Sequence, residues 1–346
     1  MKPIVVERAS LSAASIGGLV LCQDVRGEGG HPALAKGRIL QADDASLLMT
    51  LPWERLHVAA MEADEIHEDV AGRRIAVAAA GEHVTVGSFS AGHWPLTATS
   101  RGILDVSADA LRRVNSLDGP CVYSVFHGQV VDTGEVIARA KITPFALAET
   151  RVREAERIGI EARGMVRVRP FRPMRIGAVV QETLGERAMT RFRAGLGEKI
   201  EWLGSQLAEP RFVAADPEAI GGAITSVIDE GAEVVAIAGT KAMDLLDPAF
   251  IALARIGATI ERHGVPAHPG SLFWLARRGD VPILGMPACG LFSQATVFDL
   301  ILPRILSGER IGSAELAELG HGGLLTRELS FRFPPYRRAS NRGEVE

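Results

Sequence analysis

The densest chemistry in the chain lies in one stretch, Gly239-Thr240-Lys241-Ala242-Met243-Asp244-Leu245-Leu246-Asp247. Gly239 lets backbone come close to a ligand. Thr240 offers a hydroxyl and Lys241 a mobile cation, and both suit phosphate. Asp244 and Asp247 offer carboxylates to a divalent ion such as Mg2+, which favours carboxylate together with phosphate oxygens. Asp247 also precedes Pro248, the pattern of a helix N-cap followed by proline at the first helical position. Asp244 has no such duty, so it is the candidate for catalysis and for Mg2+. Lys241 reads either as a solvated surface residue or as a phosphate ligand.

Two further clusters have similar character. His263-Gly264-Val265-Pro266-Ala267-His268-Pro269-Gly270-Ser271 is a Gly/Pro turn able to present backbone N–H groups to an anion. Its two histidines, five apart with proline between them, lack the spacing of a helical metal pair. Pro287-Ala288-Cys289-Gly290-Leu291-Phe292-Ser293 follows an apolar run. Cys289 there is either a thiol activated by a helix N-terminus or a small residue fitting a tight turn. Ser293 could cap a helix or touch phosphate.

The elements that must position these loops follow from the pattern around them. From Met174 onward, apolar runs at 175–180, 209–214, 233–238, 259–264, 272–276 and 282–286 read as strands. Residues 187–207, 217–230, 248–256 and 292–306 read as helices. Strands alternating with helices predict a three-layer α/β/α domain on a parallel sheet. Ligands of such sheets bind beyond the carboxyl ends of the strands. The loop at 181–185, residues 239–247, the turn 268–271 and residues 287–293 should therefore converge on one edge.

Before Phe145 the texture differs. Short β-rich runs punctuated by glycine alternate with turns, with helical stretches at 42–49, 60–80 and 108–115. This predicts a β-rich α+β region, built as one unit or two small modules. Residues 146–158 read as a charged helix. Val166-Arg167-Val168-Arg169-Pro170-Phe171-Arg172-Pro173 is extended, since two prolines oppose helix. The expected division is 1–172, 173–312 and a C-terminal tail, 313–346, of which 326–346, with Pro334-Pro335 and Arg337-Arg338, reads as a loosely docked end. Arg163, Arg167, Arg169, Arg172 and Arg175 form either a solvated strand face or an anion-facing surface.

Composition narrows the function class. Of 346 residues, 47% are hydrophobic and 23% charged, which excludes wholesale disorder, collagen and coiled coil. The net charge of −4 predicts no nucleic-acid or membrane footprint. No apolar run approaches the ~18 residues of a membrane helix. The three cysteines, Cys22, Cys121 and Cys289, are too widely spaced for a CxxC motif. A reducing, cytoplasmic location is expected.

Together, three segments resemble the molybdopterin-binding family of molybdenum-cofactor biosynthesis. They are Ile237-Ala238-Gly239-Thr240 with Asp244, His263-Gly264-Val265 with His268-Pro269-Gly270, and Pro282-Ile283-Leu284-Gly285-Met286-Pro287. Family members carry a Gly-Gly-x-Ser-x-Gly-like loop, an x-Pro-Gly turn and a Gly-Leu-Pro-Gly loop in this order. The match covers about residues 174–310. Gly37-Arg38-Ile39-Leu40, Trp53–Val58, and Gly134 with Lys141-Ile142-Thr143-Pro144-Phe145 are more loosely similar to the flanking modules of molybdotransferase-type members.

The resemblance implies that Gly239, Thr240, Lys241, Asp247, His268, Pro269, Gly270, Ser271, Pro287, Ala288, Cys289, Gly290 and Ser293 hold molybdopterin or its nucleotide form. It also implies a homo-oligomer joined through the N-terminal region. Molybdoenzymes or cofactor-synthesis proteins would be partners. Residues 288–293 stand where the family carries Gly-Asn-Pro-Val-Ser, which favours binding over catalysis. The alternatives are a molybdotransferase or adenylyltransferase using Mg2+, ATP, Asp244 and Lys241; a regulatory interaction protein with a degenerate pocket; and a nucleotide-binding hydrolase of the competence-damage type.

Overall fold

The computed structural model describes residues 1–27, 30–90, 92–181, 185–286 and 295–336. The chain divides into two compact units. The first comprises Met1–Ser100, Leu104–His127 and Val131–Val168; the second comprises Arg101–Ile103, Gly128–Val130 and Arg169–Glu346.

The first unit is built on short antiparallel sheets. Pro120–Ser124, Val136–Ile142, Trp94–Ala98 and Val84–Val86 form one. Lys2–Glu7, Arg55–Ala60 and Val20–Leu21 form another. Each has its own core: Ile75, Leu96, Val122 and Val152 in the first, Ile16, Leu21, Leu48 and Leu56 in the second. The stretch read as helix over 60–80 is a strand at Glu65–His67 followed by a helix at Glu68–Ala79. Likewise 146–158 opens as a strand, Ala146–Ala148, paired with Glu65–His67, before helix Glu149–Glu161. The guanidinium of Arg74 joins the two helices, reaching Glu149 at 2.9 Å and Glu156 at 2.6 Å. Along the arginine series, Arg167 pairs with Asp105 at 2.8 Å in the first unit. In the second unit Arg169 pairs with Glu309, also at 2.8 Å. Burial alone would raise the Glu309 carboxyl, but Arg304 and Arg169 hold it below its usual range.

The second unit contains β1 (Arg175–Val180), α1 (Glu186–Trp202), β2 (Gln206–Leu207), β3 (Arg211–Phe212), α2 (Pro217–Asp229) and β4 (Val234–Ala238). There follow α3 (Pro248–Arg255), β5 (Thr259–His263), β6 (Trp274–Arg278), β7 (Val281–Gly285), α4 (Val297–Leu306) and α5 (Ser313–Ala317). The sheet order is β2-β1-β4-β7-β6-β5, with β3 also on β1.

The apolar run of β4 has a simple cause. Val234, Ala236 and Ala238 face α1 and α4, where Phe192, Leu196, Phe298 and Leu302 are buried. Val235 and Ile237 face α2 and α3, against Ile220, Ile224 and Leu253. A strand covered on both faces has no polar side to alternate with.

The sheet is mixed rather than wholly parallel, and this corrects the sequence expectation at one strand. β6 runs antiparallel to both β7 and β5. Only Gly279 and Asp280 separate β6 from β7, and Gly279 has φ +58. A two-residue connection makes a hairpin, whereas a parallel pair needs a crossover of a dozen or more residues. Because β5 follows β7 in direction, the β5–β6 connection still emerges at the carboxyl edge of β1, β4 and β7.

Beyond residue 312, Leu316, Leu319 and Leu325 are part of the α1–α4 core, and Phe333 and Tyr336, from the end read as loosely docked, pack against it. Residues 337–346 lie outside the described residues. Among the described residues no helix is long and apolar enough to cross a membrane.

Trp274 is fully buried and its ring lies over Gly285 on the neighbouring strand. A Cβ on Gly285 would stand 2.1 Å from Trp274 Cε2. Gly285→Ala must therefore displace a large core ring, at a cost of about 1–3 kcal/mol or more. Chemical denaturation should show that loss with little change in the denaturant slope. An unchanged midpoint would mean the ring is free to move.

Candidate functional site

Three elements meet at one buried carboxylate. β1 ends at Val180 and delivers Gln181, 4% exposed. β4 ends at Ala238 and turns at Gly239, whose φ of +85 suits glycine. α3 begins after Asp247, 1% exposed. The Asp247 carboxylate accepts from Ala249 N at 2.9 Å, which is the helix cap. It also accepts from Lys241 N at 2.7 Å and from Gln181 Nε2 at 2.9 and 3.0 Å. The same Gln181 nitrogen donates to the Gly239 carbonyl at 3.1 Å. Asp247 is thus the cap of α3 and the inner clamp of the 239–247 loop, with its oxygens turned inward.

Beside the clamp the loop rests on aromatic residues. Trp274 Nε1 donates to Thr240 Oγ1 at 3.3 Å. Phe250 packs on Trp274 at 5.4 Å and on the His263 ring at 4.9 Å between centroids. His263 Nε2 meets the Ala242 carbonyl. Thr240 is partly buried, and its hydroxyl keeps its own proton to donate. Lys241 and Asp244 are exposed. Asp244 Oδ1 accepts from Leu246 N at 2.9 Å, and the Asp244 carbonyl accepts from Asp247 N at 3.0 Å. Between these polar groups, Met243, Leu245 and Leu246 are 83%, 73% and 77% exposed.

The turn at 268–271 lies on the same edge. His268 N donates to Gly323 O at 2.7 Å and Leu325 N to His268 O at 2.8 Å, so residues past 318 hold the turn. Gly270, at φ +113, closes against the start of α4: a Cβ there would stand 2.8 Å from Val297 N. His268 and Ser271 are exposed, and Pro269 is partly buried. No direct bond links this turn to residues 239–247 among the described residues; they share the edge and the β5–β6 framework. Pro287, Ala288, Cys289, Gly290 and Ser293 lie outside the described residues. Their flanks, Met286 and Thr296, are buried at this edge. Among the described residues no group of three or more His, Cys, Asp and Glu converges as a metal site.

Beneath α4 lies a second polar knot. Thr296 and Asp299 form a capping box, with Thr296 N donating to Asp299 at 2.8 Å. Lys199 Nζ stands 2.8 Å from the other Asp299 oxygen, and both side chains are buried. The Tyr336 phenol is buried beside them. Burial, reinforced by the Asp299 carboxylate, pushes its pKa well above the usual value.

Trp274 was not singled out from the sequence, and no individual role was read for Gln181, part of the 181–185 edge loop, or for His263, at the head of the Gly/Pro cluster. His263 and Trp274 act across strands, and that pairing depends on the reversed β6.

No family model matches the chain, and no curated protein matches it. Among solved structures, one similar chain is a molybdopterin biosynthesis MoeA protein from Pyrococcus horikosii, at 14% identity and TM-score 0.31. The match covers 70% of this chain and 74% of that one. Another is a molybdenum cofactor biosynthesis protein B, at 12% identity and TM-score 0.31, covering 40% of this chain and 95% of that one. A third, a molybdenum cofactor biosynthesis protein from Pyrococcus furiosus, has 13% identity and TM-score 0.26, covering 88% and 63%.

Two outcomes follow from the two knots. Asp247→Ala removes the cap and leaves three N–H donors unmatched, so stability should fall by about 2–4 kcal/mol, more than the ~1 kcal/mol of an ordinary cap; a loss of only ~1 kcal/mol in urea unfolding would reduce Asp247 to a cap. Tyr336 has a raised folded-state pKa, so its contribution is complete below the ordinary phenol pKa and is lost as pH rises beyond it. Stability should therefore decline above about pH 10, and Tyr336→Phe should flatten that decline. Parallel slopes for both proteins between pH 9 and 11 would refute the assignment.

Proposed function

We propose that the carboxyl edge of the second unit binds the phosphate-bearing pterin of molybdenum-cofactor synthesis, molybdopterin or its nucleotide form, during synthesis, insertion or delivery. The observation that carries this is the 239–247 loop. Its underside is pinned by Asp247 and Gln181, while Lys241 stands exposed beside the Thr240 hydroxyl. A fixed loop with an exposed cation is suited to a phosphate, because little order is lost on binding. Exposed Met243, Leu245 and Leu246 beside it suit a flat, weakly hydrated ring. The order of the loop, the x-Pro-Gly turn and the Gly285-Met286-Pro287 segment along the chain supports the same ligand.

A cytoplasmic homo-oligomer that hands its ligand to a molybdoenzyme or another cofactor-synthesis protein fits this reading. The second reading is transfer chemistry with ATP and Mg2+, favoured by the exposure of Asp244 within the loop. On that reading Asp244 would hold Mg2+ against the phosphates, where the ion neutralises charge in the transition state.

Titration of the purified protein with molybdopterin, and separately with ATP and Mg2+, distinguishes the two. Lys241→Ala should weaken pterin-phosphate binding about tenfold, the worth of one charge-assisted hydrogen bond. Unchanged affinity at low salt would remove Lys241 from the site. Asp244→Asn should leave binding equal or slightly tighter in a binder. Loss of Mg2+-dependent turnover in that variant, with the fold intact, would establish the transferase instead.

A further inference from the structure

Gln181 carries one group that the clamp does not use. Its amide orientation is fixed, because Nε2 faces three acceptors: both Asp247 oxygens and the Gly239 carbonyl. Turning the amide over would set Oε1 against those same oxygens. Oε1 therefore occupies the other branch of the amide. It is buried and has no hydrogen-bond partner among the described residues. A buried acceptor left unmatched is uncommon and destabilising, and a carbonyl oxygen has two lone pairs to fill.

The position of this atom matters. Gln181 follows directly on β1, at the edge from which residues 239–247 emerge after β4. Its backbone N donates to Ala238 O at 3.0 Å, which ties it to the strand that delivers the loop. The cation and hydroxyl of that loop supply positive charge and donors. Gln181 Oε1 is an acceptor on the neighbouring strand end, on an amide that Asp247 and the Gly239 carbonyl hold in place. An anionic group has no use for it; a ligand N–H does.

We infer that Gln181 selects the ligand's ring: Oε1 accepts a hydrogen bond from the N3–H of a pterin-type heterocycle whose phosphate lies on the 239–247 loop. This rests on the reading of that edge as a pterin-phosphate site, and it adds the residue that discriminates among heterocycles. A site built to pair with an N–H rejects the analogue lacking it, because the protein's buried acceptor then stays unmatched.

The test compares 6-hydroxymethylpterin monophosphate with its N3-methyl derivative by fluorescence titration, using phenyl phosphate as a donor-free phosphate ester. Wild type should prefer the unmethylated pterin by about tenfold or more. Gln181→Met removes the acceptor, and Gln181→Lys keeps a donor for Asp247 while removing the acceptor. Both should reduce the preference toward the level set by methyl bulk alone. The ratio of the two affinities within one protein cancels any general loosening of the loop. A wild-type protein that binds both pterins equally overturns the inference, whether or not the variants fold. Variants that keep the full wild-type preference also overturn it. If no phosphate ester binds, the pterin-phosphate reading fails, and this inference with it; if phenyl phosphate and both pterins bind alike, only the role of Gln181 fails.

Discussion

A buried carboxylate without donors is so costly that its surroundings must be arranged to supply them. Asp247 imposes that constraint here. Its donors come from the end of β1, the loop after β4 and the first turn of α3. None of these segments is adjacent in sequence to all the others. The requirement to satisfy one charge therefore fixes the relative positions of two strand ends and a helix start. The parallel pairing of β1 and β4 brings Gln181 within reach, since Val180 stands opposite Ala238. The clamp depends on that register.

A fixed underside leaves a distinctive upper side. With Asp247 turned inward and Ala242 buried, the remaining loop residues have nowhere to go but outward. Lys241, Met243, Asp244, Leu245 and Leu246 are accordingly exposed. Three large apolar side chains in so short an exposed stretch are unusual for a surface turn. The aromatic ledge of Trp274, Phe250 and His263 adds stiffness, and Gly285 is what allows the Trp274 ring to lie beneath the loop.

Much of this was legible before the structure. The unbroken apolar run of β4 announced a strand covered on both faces. Asp247-Pro248 announced a cap. The α/β alternation placed the 239–247 loop and the 268–271 turn at one strand edge. What escaped was anything requiring knowledge of pairing across the sheet. A two-residue link at Gly279-Asp280 reverses β6, yet the residues of β6 have the same apolar character as a parallel strand. Helix-like composition at 60–68 and 146–148 yields instead to a strand pair, because Glu65–His67 and Ala146–Ala148 satisfy each other's backbone. Pro334-Pro335 and Arg337-Arg338 suggested a loosely docked end, whereas Phe333 and Tyr336 pack against the α1–α4 core.

The two aspartates of the loop show why burial, not residue type, decides chemistry. On sequence, Asp244 and Asp247 both offered oxygens to a cation, and only the Asp247-Pro248 pattern set Asp247 apart as a helix cap. The Asp247 oxygens are occupied by N–H donors, which would have to be stripped away before an ion could take their place. Asp244 spends one oxygen on Leu246 N and faces solvent with the rest. A divalent ion arriving at this loop would meet one carboxylate, so most of its oxygen ligands would have to come from the phosphate and water it arrives with. Ion and phosphate would then depend on each other at this edge. The loop contributes the fixed geometry and two exposed charges of opposite sign, Lys241 and Asp244.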